Sequence, residues 1–276
     1  MEIHSKLISI YFNRYKINIM DISLELIKKL RDATQVSIAE CKKALEASDG
    51  DFTLAVENLR KSGISKAASK AERVTKEGVI AMALTTDSTK GILTKVNCES
   101  DFVGKNADFI ALVQSVADQG LTVSAEEFFQ SQREEQVLKI GENLTWGGLE
   151  IVEGVYVAGY VHSNRKVASL VAFSVKIDAD LAHDIAMQVV ALNPAYLKPE
   201  DVPADVVAKE KEIYNEQMAG DNKPEEIKAK IIEGKLNKFY GDVCLLKQTA
   251  IKDDSQTIEK LLAGKAEIVK FVRLAV

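Results

Sequence analysis

The residues best suited to nucleophilic or metal chemistry are three cysteines, Cys41, Cys98 and Cys244, and three histidines, His4, His162 and His183. The cysteines are scattered without a Cys-x-x-Cys pair, and the histidines lie far apart without a His-Glu-x-x-His spacing. Neither a zinc site nor a disulfide framework is indicated, and free thiols fit a reducing compartment such as the cytoplasm. No Gly-x-Ser-x-Gly elbow, phosphate-binding P-loop or Gly-x-Gly-x-x-Gly turn occurs. The paired acids Glu126-Glu127 and Asp253-Asp254 are sequence neighbours on polar segments and read as solvated faces. The lone tryptophan, Trp146, stands beside Gly147-Gly148 and reads as loop packing. No catalytic group, metal site or cofactor is expected on these grounds.

One segment stands out, Asn97-Cys98-Glu99-Ser100-Asp101-Phe102-Val103-Gly104-Lys105-Asn106. It leaves a strand pattern and enters a helical one, with Phe102 and Val103 in the connection itself. On one reading Ser100 or Asp101 caps the helix and Phe102 staples it to the core. On the other, Phe102 is a rigidly held aromatic wedge with an acid beside it, aimed at a partner.

The elements that would position this segment follow from composition and periodicity. The chain has 276 residues, 46% hydrophobic and 28% charged, enough for sizeable cores and about two domains. Its 36 basic and 41 acidic residues leave a net charge of −5, and aromatics are 6%. That balance argues against direct nucleic-acid binding by phosphate neutralisation or base stacking. Nor does any apolar run approach membrane-spanning length.

Residues 1–20 read as an N-terminal extension, distinct in pattern from the rest of the chain. From residue 21, Leu24, Ile27 and Leu30 recur at helical spacing behind Ser23. Ile38, Cys41 or Lys42, and Leu45 continue the pattern, and Asp51 opens a third helix closed by Gly63. Residues 21–63 are thus a three-helix module, and 64–77 an alanine- and lysine-rich linker helix. Apolar runs at 79–84 and 92–96 flank a polar turn and predict a hairpin, followed by helices at 105–119 and 124–140. Ser124-x-x-Glu127 is a capping box for the second of these. Residues 151–162 and 166–176 predict another strand pair, followed by a helix at 181–192.

Two charged helices, 206–218 and 225–240, form a hairpin too polar for a core. Its apolar stripe is expected to be Val206, Ile213 and Met218 with Ile227, Ile231 and Phe239, sealing a projecting antiparallel coiled coil. Self-association through it is left open. The fold class is α+β: subdomains at 78–145 and at 146–200 with 243–276, built on antiparallel hairpins, with the coiled coil inserted at 201–242.

Residues 97–109, NCESDFVGKNADF, closely resemble the signature of the bacterial elongation factor Ts family, usually N-C-x-T-D-F-V-A-K. The resemblance extends to residues 26–63, where Arg31-Asp32-x-Thr34 and Cys41-Lys42-Lys43-Ala44-Leu45 stand, to 183–206, and to Phe271-Val272-Arg273. It implies an exchange factor without covalent chemistry, which binds the GTPase elongation factor Tu and releases its GDP. The implied wedge is Asp101 and Phe102, flanked by Ser100 and Val103, disturbing the partner's magnesium and phosphate site. The implied N-terminal contacts are Arg31, Ile38, Ala39 and Lys42. In the core His162 matches an interface position, with Ile251 and Lys252 in a further contact segment. There Thr249 and Ala250 replace the family's usual proline and aromatic.

A rival reading takes residues 23–63, which resemble a ubiquitin-associated (UBA) module, as the working part of a ubiquitin-type adaptor. Such an adaptor needs neither the Asp-Phe-Val segment nor the helical hairpin, so GDP release from elongation factor Tu discriminates the two.

Overall fold

Ser23, Ser37 and Asp51 each stand one residue ahead of an apolar period, and each starts a helix. Their side-chain oxygens accept hydrogen bonds from the N–H groups of Leu26, Glu40 and Leu54. The helices are α1 (Leu24–Thr34), α2 (Ile38–Glu46) and α3 (Phe52–Lys70). This computed structural model describes residues 22–220 and 223–276; the extension read at 1–20 lies outside the described residues. The chain divides into two units, residues up to 73 with 132–143, and residues 74–131 with 144–276.

In the first unit Ile27, Leu30, Val36, Cys41, Leu45, Ala55 and Leu59 form the core between the three helices. Leu138, from helix α6 (Ala125–Ile140), joins them. Leu24, which shares the helical spacing of Ile27 and Leu30, is 74% exposed, while those two are buried. One expectation changes here. Gly63 does not close α3, which continues to Lys70, so the separate linker helix expected at 64–77 is absent. A Cβ at Gly63 would lie 3.2 Å from the carbonyl oxygen of Glu134, so this glycine allows close packing of two helices.

The second unit holds two three-stranded antiparallel sheets. The first is ordered β1 (Glu77–Leu84), β2 (Lys90–Cys98), β3 (Thr145–Glu153); the second β4 (Tyr156–Val161), β5 (Val167–Phe173), β8 (Ile268–Ala275). They pack face to face through Ile80, Leu93 and Val152 on one side and Val157, Ala168, Leu170 and Ala172 on the other. Contact is so close at Gly159 that a Cβ would stand 2.3 Å from the Met82 Sδ. The central strands are apolar on both faces because helices cover the outer sides. Helix α5 (Ala107–Gly120) lies on the first sheet, where Gln114 donates to the Met82 carbonyl at 2.9 Å. Helix α7 (Ala179–Leu192) lies on the second, packing Ala182, Ile185 and Val189 against Val171 and Phe173.

The expected single strand over 151–162 is two strands in different sheets. Thr145–Glu153 pairs with β2, and the chain crosses to the second sheet at Gly154, whose N–H donates to the Thr89 carbonyl. The charged hairpin is α8 (Ala204–Met218) and α9 (Glu225–Val243), inserted before β6 (Thr249–Ala250), β7 (Asp253–Thr257) and α10 (Ile258–Leu262). Its expected stripe also shifts. Ile213 and Ile227 are exposed, while Met218 is buried and the Lys235 ammonium lies over the Tyr214 ring, 5.5 Å from its centroid.

Candidate partner-binding site

Strand β2 ends at Cys98, and a four-residue helix, α4 (Asp101–Gly104), begins soon after it. The Ser100 hydroxyl accepts from the Val103 N–H at 3.4 Å, and the Gly104 N–H donates to the Ser100 carbonyl at 3.2 Å. Further on, the Asn106 side chain accepts from the N–H groups of Asp108 and Phe109 at 2.8 and 3.2 Å, starting α5. Val103 is 9% exposed and Phe109 fully buried, so the connection is fastened between two caps and two apolar anchors. Sequence spacing alone leaves open which way the aromatic turns. Phe102 is 82% exposed, the highest value among the exposed large hydrophobic side chains of the described residues, and it staples nothing. Ser100 serves the cap and Val103 the core, so Asp101 and Phe102 are the pair offered to solvent.

Asp101 is also engaged with Lys105 one helical turn later, at 2.7 Å. The Lys105 hydrogen bond and charge hold the Asp101 carboxyl below its ordinary range, and reciprocally raise the Lys105 ammonium. Both side chains are solvated, so the pair orients the carboxylate more than it stabilises the fold.

Arg31, Ile38, Ala39 and Lys42 are all exposed in the first unit. Ile38, whose spacing is that of a core residue, is 56% exposed at the start of α2, and Lys42 reaches Glu46 at 3.7 Å.

His162, Ile251 and Lys252 come from distant parts of the sequence, His162 just after β4 and the other two in the β6–β7 turn. The segments that carry them all contact α7. The Tyr160 hydroxyl lies 3.2 Å from His162 Nδ1, and the Tyr160 ring meets His183 edge-on at 5.3 Å. Lys252 Nζ stands 2.6 Å from Asp184 Oδ1, and the Ile251 N–H donates to Gln188 Oε1 at 2.9 Å. Buried Gln188 also donates to Gln248 and to the Thr249 carbonyl, so one side chain fixes the whole 248–251 segment. A cleft of about 160 Å³ opens beside it, lined by Leu181, Ile185, Ala250, Ile251, Ile258 and Leu261. Sequence reasoning misses Tyr160, His183 and Asp184. Tyr160 and His162 show the i, i+2 spacing of one strand face, but His183 and Asp184 join them only through the packing of α7.

Among the described residues no cluster of histidine, cysteine or acidic side chains is arranged to hold a metal ion. Nor is any helix among them long and apolar enough to cross a membrane.

A capped turn thus lifts one aromatic ring, Phe102, out of a packed α+β unit. Comparison with known proteins shows the family to which such a chain belongs. The family model described as Elongation factor TS matches residues 99–276. An elongation factor Ts of Teredinibacter turnerae is 40% identical across 93% of this chain and 91% of that one. That of Saccharophagus degradans is 41% identical, and that of Pasteurella multocida 42%, each across 93% of this chain and 92% of its own. The chain belongs to the elongation factor Ts family, whose members are translation elongation factors. These matches run through both units and give no support to the adaptor alternative.

Proposed function

We propose that the chain is a guanine-nucleotide exchange factor that binds elongation factor Tu carrying GDP and drives release of the nucleotide. The reading rests above all on Phe102, a large apolar side chain 82% exposed on a turn capped at both ends. An exposed hydrophobe is ordinary when the backbone beneath it is loose; here caps and anchors fix it, at a position matching the family signature. Asp101 and Phe102 act as the wedge. Arg31, Ile38, Ala39 and Lys42 form a second contact on the three-helix module, which we read as UBA-like. His162, Ile251 and Lys252, joined by Tyr160, His183 and Asp184, form a third. The α8–α9 hairpin is read as an antiparallel coiled coil whose mixed charges suit neither nucleic acid nor membrane. The site of action is the cytoplasm, where translation elongation takes place.

The physical logic needs no covalent step. A GTPase holds GDP through a magnesium ion and backbone donors that demand near-ideal geometry, so a small displacement removes much affinity. Linkage requires that a factor which weakens nucleotide binding be weakened equally by nucleotide. The factor therefore accelerates release in either direction, and the cellular excess of GTP supplies the direction of exchange.

The test is stopped-flow release of fluorescent GDP from elongation factor Tu, with and without the chain. The expected result is a release rate that rises with chain concentration to a plateau. A rate independent of the chain, with the protein shown to be folded, overturns the proposal.

A further inference from the structure

The turn that carries Phe102 rests on a side chain from the other sheet. Lys166 lies between the β4–β5 turn and β5, and its side chain is 30% exposed. Its ammonium donates to Glu77 Oε2 at 2.6 Å and to the Gly78 carbonyl at 2.8 Å, both at the start of β1. It also lies against the end of α4, since a Cβ built on Gly104 would stand 3.4 Å from Lys166 Nζ and 3.7 Å from the Gly78 oxygen. The Lys166 backbone is itself tied down, its carbonyl accepting from the Val276 N–H at 2.9 Å and its N–H donating to Asn164 Oδ1 at 2.9 Å. One residue earlier the Arg165 carbonyl accepts from the Ile80 N–H at 2.8 Å.

We propose that Lys166 is a positioning residue for Phe102. It fixes the first strand of one sheet to the hairpin of the other, directly beneath the two-cap turn. A wedge can displace partner groups only if it does not yield itself, and α4 is too short to be rigid on its own hydrogen bonds. Lys166 supplies a backstop with three donor protons, two of them directed at groups that are themselves part of the sheet. With Lys166 removed, Glu77 loses its counter-ion, Gly78 loses a hydrogen bond, and the floor under Gly104 is open.

The inference rests on the exchange reading, and the experiment separates the two. Lys166→Met keeps most of the stem and removes the charge and donors. It is measured alone, with Phe102→Ala, and in the double variant, by stopped-flow GDP release from elongation factor Tu. Lys166→Met is expected to lower the maximal release rate about three- to tenfold while the half-saturating concentration changes little, because the other contact surfaces are untouched. In the Phe102→Ala background it is expected to have no further effect, since it acts through that ring. Lys166→Arg, which retains the cation, is expected to recover most of the rate. Full additivity in the double variant, or an undiminished rate in Lys166→Met, overturns the positioning role and leaves the exchange reading intact. An undiminished rate in Phe102→Ala overturns the exchange wedge instead. A readout free of the partner is the fluorescence anisotropy of Phe102→Trp, made beside Trp146→Phe so that one indole reports. Lys166→Met is expected to lower its anisotropy, and an unchanged value in a folded protein counts against the backstop.

Discussion

Replacing Phe102 by alanine divides the damage between folding and binding in a way that the structure makes calculable. A buried phenylalanine lost to alanine costs about 3–5 kcal/mol of stability. Phe102 is 82% exposed, so only the remaining fifth or so of its surface contributes to folding, roughly 0.5–1 kcal/mol. Alanine recovers about half a kcal/mol of that through its better helix propensity. The net change in melting temperature is therefore expected to be about 2 °C or less for a chain of this size. The binding side is larger. A phenylalanine offers roughly 150–200 Å² for burial, of which about 130–160 Å² is free here. At about 25 cal/mol per Å² that surface is worth some 3–4 kcal/mol if a partner covers it completely.

Incomplete cover and the freedom lost on binding reduce the expected loss to about 2 kcal/mol, roughly thirtyfold in affinity for nucleotide-free elongation factor Tu. The assays are a melting curve, a titration against the nucleotide-free partner and stopped-flow release of fluorescent GDP. At least a tenfold loss of release efficiency at nearly unchanged melting temperature is the expected pattern. A variant that melts many degrees lower would show that Phe102 packs within the fold. A stable variant with full exchange would show that the exposed ring is idle, and either result refutes the reasoning.

Other predictions are smaller. Gly104→Ala should stabilise the protein by about 0.5–1 kcal/mol, because Gly104 is helical without a positive φ and the new methyl meets only the flexible Lys166 end and the Gly78 oxygen. A melting curve checks this, and a lower melting temperature would mean that the Lys166 ammonium cannot yield. Lys66 lies 2.5 Å from Glu40, and its hydrogen bond holds the Glu40 carboxyl below its ordinary value of 4.5 despite partial burial. A lowered folded value stabilises the protein above the unfolded value and ceases to do so as pH falls through the folded one. Lys66→Met should therefore cost about 0.5–1 kcal/mol at pH 7, and the difference should shrink in melts at successively lower pH as the carboxyl is protonated. All three cysteines are buried; burial first, then Asp201 and Glu200, pushes the Cys244 thiol up to about 11, and burial raises Cys41 as well. Iodoacetamide at pH 8 should leave them unmodified in the native protein by mass spectrometry and label them all in denaturant.

How much of the fold is legible in the sequence depends on whether the signal is local. Ser23, Asp51 and Ser124 announce their helices because a cap and the period behind it lie within a few residues of each other. The β1–β2 and β4–β5 hairpins are equally local, each a polar turn between apolar runs. What escapes is whatever depends on a neighbour from elsewhere. Gly63 reads as a helix end until the Glu134 backbone lies across it. Residues 151–162 read as one strand until β2 claims the first part. In the α8–α9 pair Met218 is buried as expected, but Ile213 and Ile227 stay exposed while Lys235 lies over Tyr214, a contact between helices that the period of neither one announces.

The same distinction explains the site. Ser100 and Asn106 are local signals, and they fix a rigid turn between strand and helix. That turn has an inward side chain, Val103, and an outward one, Phe102, and spacing does not say which of two adjacent apolar residues takes which role. The geometry of the cap decides it, since the turn that satisfies the Val103 N–H also carries that side chain to the interior. Consecutive residues on a helical turn point about 100° apart, and here Val103 points inward while Phe102 points to solvent. The exposed Phe102 thus stands on a turn whose first hydrogen bond is the Ser100 cap. A Ser100→Ala substitution, which removes that bond, should slow stopped-flow GDP release by loosening the turn while both Asp101 and Phe102 are still present. An unchanged rate would mean that Val103 and Asn106 hold the turn without the cap.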